Sequence, residues 1–360
     1  MKKTLKIRHR ISSFFQRIAF YFKSRKILCT VIVSLSFLLT TLIIFQYKND
    51  FEVDLVYLWC DGEESAFAAR KNEWLEKMEE KPSKKATNDG RFVQVDELKY
   101  SLRSIEKYLP WIHHIYIVTD RQVPKWLDTN HPKITIVDHS EIIPKEYIPV
   151  FNSNAIEARI HKIPNLSEHF LFANDDMFVN RPLDKSFFFD GGKPIVRLRK
   201  RQTKSLHQKM LGYAISLIER DFGKGIPFFS NGNFHPHHNI DPYLKSDYEA
   251  CVNHYDKEYT ETLGHRFRKI TSVQRIIVSA WSFLKGHAKI KDVSSTKTDK
   301  KIDSILLFVS QKSWEKKLSD NEPALFCIND DDRGTPEGRL RLKEFLESYF
   351  PKKSKFEKVF

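Results

Sequence analysis

Phe170-Leu-Phe-Ala-Asn-Asp-Asp-Met-Phe178 is an apolar run that stops at two adjacent carboxylates, Asp175 and Asp176. Asn174 precedes the pair and Met177-Phe178 follows it. The run reads as a buried strand, and in an open α/β sheet ligands bind just beyond the carboxyl ends of the strands. Two acids at that edge suit a hard cation, Mg²⁺ or Mn²⁺, held against the phosphates of a nucleotide. The competing reading is a turn in which Asp175 or Asp176 caps the next segment. Alone, the pair tilts only slightly towards the metal, and its neighbours decide.

Upstream, Val53–Trp59 is a second buried strand, ending at Cys60-Asp61-Gly62. Ile115–Val118 and Ile134–Val137 are short strands. Asp96 reads as an N-cap for a helix carrying Leu98, Leu102, Ile105 and Leu109, which Pro110 closes. Asn152-Ser153 caps another, with Ile156, Ile160 and Ile163 on its apolar face. Lys81–Gly90, with Pro82 and Asn88-Asp89-Gly90, is a polar loop. Strands alternating with helices predict an α/β core over 51–190, with a mostly parallel sheet and helices on both faces. Beyond Gly191 helical spacing dominates, in Leu206–Ile218, Val273–Leu284, Ile302–Trp314 and Gly338–Tyr349. This predicts a mainly helical subdomain over 191–350 that completes the site, then a basic tail over 351–360.

With 41% hydrophobic and 29% charged residues in 360, the chain is globular rather than disordered. It has neither Gly-x-Gly-x-x-Gly nor a Walker-type loop, so a nucleotide must be held by other means. Net charge is +14, and residues 1–26 hold lysines and arginines with no acid among them. Ile27–Phe45 then carries no charge, long enough to cross a hydrocarbon core of about 30 Å as a helix. A membrane anchor over 27–46 is expected. A cleaved signal peptide would be shorter, nearer the N-terminus and followed by small residues. The basic flank is thus explained by a membrane rather than by nucleic acid. Cys60, Cys251 and Cys327 stand far apart with no Cys-x-x-Cys, so the spacing indicates neither a structural disulfide nor zinc.

Four blocks carry polar residues that a simple core does not need. The first is Asp54-Leu-Val-Tyr-Leu-Trp-Cys-Asp-Gly62. The second runs from Glu97-Leu-Lys-Tyr-Ser-Leu-Arg-Ser104 through Ile117-Val-Thr-Asp120 and Phe151-Asn-Ser-Asn-Ala-Ile-Glu157 to Asn174-Asp-Asp176. The third is Phe234-His-Pro-His-His238 with Ile240-Asp241, then His265-Arg-Phe-Arg268, and the fourth is Phe326-Cys-Ile-Asn-Asp330. In this order they resemble the Stealth family of sugar-phosphate transferases, over nearly all of the chain from Asp54 onward. That family includes bacterial capsular and exopolysaccharide phosphotransferases and the animal enzyme that places N-acetylglucosamine-1-phosphate on lysosomal glycoproteins. Where the family shows Asp-Asn before Glu97, this chain has Val95-Asp96.

The resemblance implies a Rossmann-like or GT-A-like sheet and a nucleotide-sugar donor. A whole sugar-1-phosphate would pass to a hydroxyl of a glycan acceptor, in capsule or exopolysaccharide synthesis. It places Glu157, Asp176, His235 and Arg268 at catalytic positions, with His237 as the alternative to His235. Asp175 and Asp176 would hold Mg²⁺ or Mn²⁺. Asp61, Gly62, Arg103, Asn329 and Asp330 would contact substrate, Arg103 through a phosphate. Either Glu157 or His235 would take the proton of the attacking hydroxyl. A nucleotide-sugar glycosyltransferase that moves only the sugar is the main alternative, and a non-catalytic binder of acidic polysaccharide the other. The charge rule points the catalytic part outside the cytoplasm, whereas the absence of a disulfide framework and the lone Asn165-Leu-Ser167 site favour a bacterial cytoplasmic face.

Overall fold

The computed structural model describes residues 51–200, 205–229, 234–293, 302–306, 311–330 and 333–358. The expected basic segment 1–26 and anchor 27–46 lie outside them. Among the described residues no helix is long and apolar enough to cross a membrane.

Strands β1 (Val53–Leu58), β2 (Ile115–Thr119), β3 (Ile134–Asp138) and β4 (His169–Asn174) are parallel and lie in the order β3-β2-β1-β4. All of β1 is buried, as a parallel strand covered on both faces must be. Its alternation divides the two faces: Val56 and Leu58 join the main core with Phe172, Leu211, Ile215 and Ile277. Tyr57 points the other way and its hydroxyl meets Ser101 Oγ at 2.6 Å, on the helix Glu97–Tyr108. Asp54, wholly buried in the same strand, is satisfied by Ser167 N and His113 Nδ1, which lie 2.7 and 2.9 Å from its carboxylate.

Beyond β4 the chain adds β5 (Met177–Val179), β6 (Phe189–Asp190), β7 (Lys193–Lys200) and β8 (Phe234–Pro236). Strand β9 (Asp241–Leu244) then pairs antiparallel with β4, so the main sheet is mixed. β10 (Lys289–Asp292) and β8 flank β7, while β11 (Ile302–Leu306) and β12 (Leu325–Asn329) form a three-stranded sheet with β5. The division expected near residue 190 is therefore not a break. Glu52–Phe360 is one compact unit, and the later half supplies an edge strand to the central sheet.

Three of the four expected helices form, at Leu206–Phe222, Ile276–Leu284 and Pro336–Tyr349. The fourth is corrected: Ile302–Leu306 is strand β11, and the helix begins only at Gln311. Ile302, Ile305 and Leu306 mimic helical spacing, but the parallel partner β12 decides the outcome.

The C-terminal segment is not a free basic tail. Phe356 and Ser354 are buried, and Asp128 N and Lys358 N bond across to Phe356 O and Trp126 O at 2.8 Å each. Its anchor is Arg103, whose guanidinium forks onto Glu357 at 2.8 and 2.9 Å and also reaches Phe350 O and Glu347. Arg103 is thus committed within the fold and its side chain is almost fully buried. Breaking a buried pair leaves a carboxylate stranded, so Arg103→Gln should cost about 3 kcal/mol in urea unfolding. Its KM for donor should stay unchanged; a raised KM with unaltered stability would restore the phosphate-contact reading.

Candidate active site

Strands β1 and β4 end in step, Leu58 opposite Asn174, which brings Cys60-Asp61 and Asp175-Asp176 to the same edge of the sheet. Gln94 ties them together: its Oε1 accepts from Trp59 Nε1 at 3.0 Å and its Nε2 donates to Asp175 Oδ2 at 2.6 Å. Asp61 is clamped through its backbone, with N and O bonded to Gln122 at 3.0 and 2.8 Å, while its carboxylate accepts only from Glu63 N. Gly62 is required by packing: a Cβ there would fall 2.4 Å from Phe92 Cβ and 2.7 Å from Phe92 O.

Asp176 is the most heavily supported acid of the edge. Strand β12 pairs antiparallel with β5, Cys327 opposite Met177, so Cys327 Sγ and Asn329 Nδ2 both reach Asp176 Oδ2, at 3.1 and 3.2 Å. His238 Nε2 lies 3.6 Å from the same oxygen. Burial alone would raise this carboxyl, but His238, Cys327 and Asn329 hold it below the usual range. The other oxygen, Oδ1, is buried with no hydrogen-bond partner among the described residues. Asp175 is pushed up by burial and by Asp176 beside it. Glu97 is likewise raised by burial, then by Asp175 and Asp176. Three carboxyls thus crowd one spot with more negative charge than the protein neutralises.

Glu97 heads its helix and accepts from Val95 N at 2.8 Å. Asp96 sits in the left-handed region at φ 66°, which Asp and Asn tolerate better than most residues. It makes no side-chain cap; it pairs with Lys343 at 3.0 Å and Lys99 at 3.5 Å. An Asn or an Asp serves this backbone equally well.

Opposite the acids stands a cationic group assembled from the third block. Asn152 caps the short helix Ser153–Glu157 and also donates to His265 O at 3.1 Å, while Phe151 N bonds Arg266 O. These bonds dock the loop carrying Arg268 onto the helix carrying Glu157. Arg268 donates to Ser153 Oγ at 2.5 Å and forms no ion pair among the described residues. Glu157 is buried and bound by Arg275 at 3.3 Å; the same guanidinium reaches Asp241 at 3.1 Å and lies 4.4 Å above the Phe172 ring. Neither Arg275 nor Asp241 is among the site residues expected from sequence.

His235 faces Arg199 across the β7–β8 pair, and its ring lies 6.4 Å from that of His207. His207 is a further residue that helical spacing alone does not reveal. Gln274 holds its Nδ1 at 3.0 Å. Burial, then His238, Arg268, His235 and Arg275, drives its pKa down to about 3. His237, two residues from His235, is also buried. Asn329 bridges Asp176 and His238, the latter at 3.3 Å, whereas Asp330 pairs with Arg339 at 2.7 Å. Among the expected residues, Asp61, Asp175, Asp176 and Asn329 gather at the acidic edge. Glu157, His235 and Arg268 gather at the cationic side, His238 links the two, and Arg103 belongs to neither.

Residues 91–195 match the model of Stealth protein CR2, conserved region 2, and residues 316–359 that of Stealth protein CR4, conserved region 4. The capsular polysaccharide phosphotransferase cps1A of Actinobacillus pleuropneumoniae is 38% identical over 228 residues, 60% of either chain. The capsular polysaccharide phosphotransferase LcbA of Aeromonas hydrophila is 33% identical over 325 residues, 85% of this chain and 86% of its own. Among solved structures the galactosyltransferase LgtC, with donor and acceptor sugar analogues, aligns at 11% identity and a TM-score of 0.39. It covers 84% of this chain and 96% of LgtC, too distant a likeness to bear on the site. The identity shared with LcbA along most of both chains, with two matching regions around the acid pair and Asn329, makes this chain a member of the Stealth family.

Proposed function

We propose that this enzyme moves a whole sugar-1-phosphate from a nucleotide-sugar donor to a hydroxyl of a capsular or exopolysaccharide glycan. The observation that carries this reading is a group of crowded carboxylates, Asp175, Asp176 and Glu97, joined through His238 to a group that holds Arg268, which forms no ion pair among the described residues. A diphosphate bridges such a pair of surfaces: it needs a cation against the acids and a guanidinium on its free oxygens.

The residues present fit a divalent cation. Asp176 Oδ1 is buried without a hydrogen-bond partner among the described residues, and Asp175 and Glu97 are raised by burial and then by the neighbouring carboxylates, a setting that a cation would relieve. Asp176, with Asp175, would hold it. Bound there, Mg²⁺ or Mn²⁺ supplies Lewis-acid neutralisation of diphosphate oxygens.

The chain's own groups do the rest. Arg268 offers its unengaged N–H groups to the transferred phosphoryl, and His207 adds a polar edge to the same wall. His235 takes the proton of the attacking hydroxyl. Glu157 is the less available acceptor, because Arg275 already holds its carboxylate at 3.3 Å. The acceptor oxygen bonds to the donor's β-phosphorus as the bond from that phosphorus to the bridging oxygen breaks. The departing nucleoside monophosphate carries the electron pair, and the anomeric C–O bond stays intact. In this reading the uncharged run 27–45 tethers the enzyme to the membrane, with the cleft on the bacterial cytoplasmic face where such donors are made.

Incubation with UDP-, CDP- and GDP-sugars, Mn²⁺ and capsular glycan should release a nucleoside monophosphate. The product should give a phosphodiester signal in phosphorus NMR. Release of a nucleoside diphosphate with a phosphate-free linkage would replace this reading by sugar transfer alone.

A further inference from the structure

We infer that Asp176, His238 and Cys327 form a binding site for a soft or borderline divalent cation such as Zn²⁺, which excludes the hard cation from Asp176. The three donors come from separate elements: the turn after β4, the loop between β8 and β9, and β12. Cys327 Sγ and His238 Nε2 lie 3.1 and 3.6 Å from Asp176 Oδ2, and all three donor atoms fall within 4.8 Å of one another. Zinc bonds of about 2.0–2.3 Å in a tetrahedron set ligands roughly 3.3–3.8 Å apart. Small side-chain adjustments therefore suffice.

Donor chemistry separates this site from the hard one. Mg²⁺ and Mn²⁺ prefer oxygen and gain nothing from a thiol, whereas carboxylate, imidazole and thiolate together favour Zn²⁺ or Co²⁺. Three protein ligands leave a fourth position for water, as in open zinc sites. The buried, unpartnered Oδ1 of Asp176 is a further acceptor turned towards no other group of the described chain. On binding, Cys327 gives its thiol proton to solvent, His238 coordinates through Nε2, and Asn329 gives up its bonds to both neighbours. Zinc then competes with the hard cation for one carboxylate and stops turnover. Binding stands independently of the proposed reaction; only the inhibition rests on it.

Titration of the metal-free full-length chain with Co²⁺ tests the site directly. One equivalent should raise a thiolate-to-cobalt charge-transfer band and the visible bands of four-coordinate cobalt. One equivalent of Zn²⁺ should bleach both, and a large excess of Mg²⁺ should not. Cys327→Ser should abolish the charge-transfer band, and His238→Ala should weaken cobalt binding about 10-fold or more. Cys60→Ser and Cys251→Ser should keep the spectrum. Circular dichroism checks folding; His238 is one-third exposed, so its variant carries the test if the Cys327 variant does not fold. A missing thiolate band, or one that survives Cys327→Ser, overturns the inference. An intact band in a protein that never transfers sugar phosphate would sink the proposed function and leave the metal site standing.

Discussion

Asp176→Asn should lose about 10³-fold or more in turnover while the protein unfolds at nearly the same temperature. The substitution keeps the shape of the side chain and an acceptor for Cys327 and Asn329, so the pairing of β12 with β5 survives. What disappears is the negative charge at the point where three carboxyls converge. His238, Cys327 and Asn329 hold the Asp176 carboxyl below the usual range chiefly through hydrogen bonds to it, so the neighbourhood favours its charged form. Excess EDTA should reproduce the loss in the unmodified enzyme, and Mn²⁺ should restore it. Full turnover in the variant, or indifference to EDTA, would remove the acid pair from the reaction.

The next largest effect is expected at His235. His235→Ala should reduce turnover about 10²-fold if this imidazole accepts the hydroxyl proton. His237→Ala is the natural control, since both rings are buried and lie two residues apart. His235 stands beside His207 in the cationic wall, their rings 6.4 Å apart, so His235 is the expected base and His237→Ala should retain most of the activity of its folded fraction. The reverse pattern would shift the assignment along the chain by two. Equal and near-normal activity in both would return the role of base to Glu157.

Much of the acidic edge is legible in the sequence because it is local. A strand that stops in Asn-Asp-Asp announces a sheet edge, and alternation of strands with helices places that edge beside Asp61. What escapes is whatever depends on pairing between distant segments. Cys327 reads as a small apolar residue in β12, and only its antiparallel register with Met177 sets it against Asp176. Gln94 and His207 sit in stretches read for polarity or periodicity, with no spacing to reveal their partners. Glu97 reads as the first turn of a helix, yet it faces two carboxylates nearly eighty residues on. Arg103 misleads for the opposite reason. An arginine on a helix next to a phosphate-binding pattern invites a ligand, while its true partner, Glu357, lies in a segment that looks like solvated basic tail. Strand β11 shows how five residues of apolar spacing serve either period until a neighbour strand chooses.

The Arg103–Glu357 pair joins residues 254 positions apart in the chain. At ribosomal rates of about 5–20 residues per second, Arg103 is made on the order of ten to fifty seconds before its counter-ion. Until then the helix Glu97–Tyr108 lacks the carboxylate that its buried guanidinium meets in the finished chain. A chain truncated before Glu357 should therefore be cleaved by a protease at a lower urea concentration than the full chain, and equal resistance would show that the closing pair is dispensable.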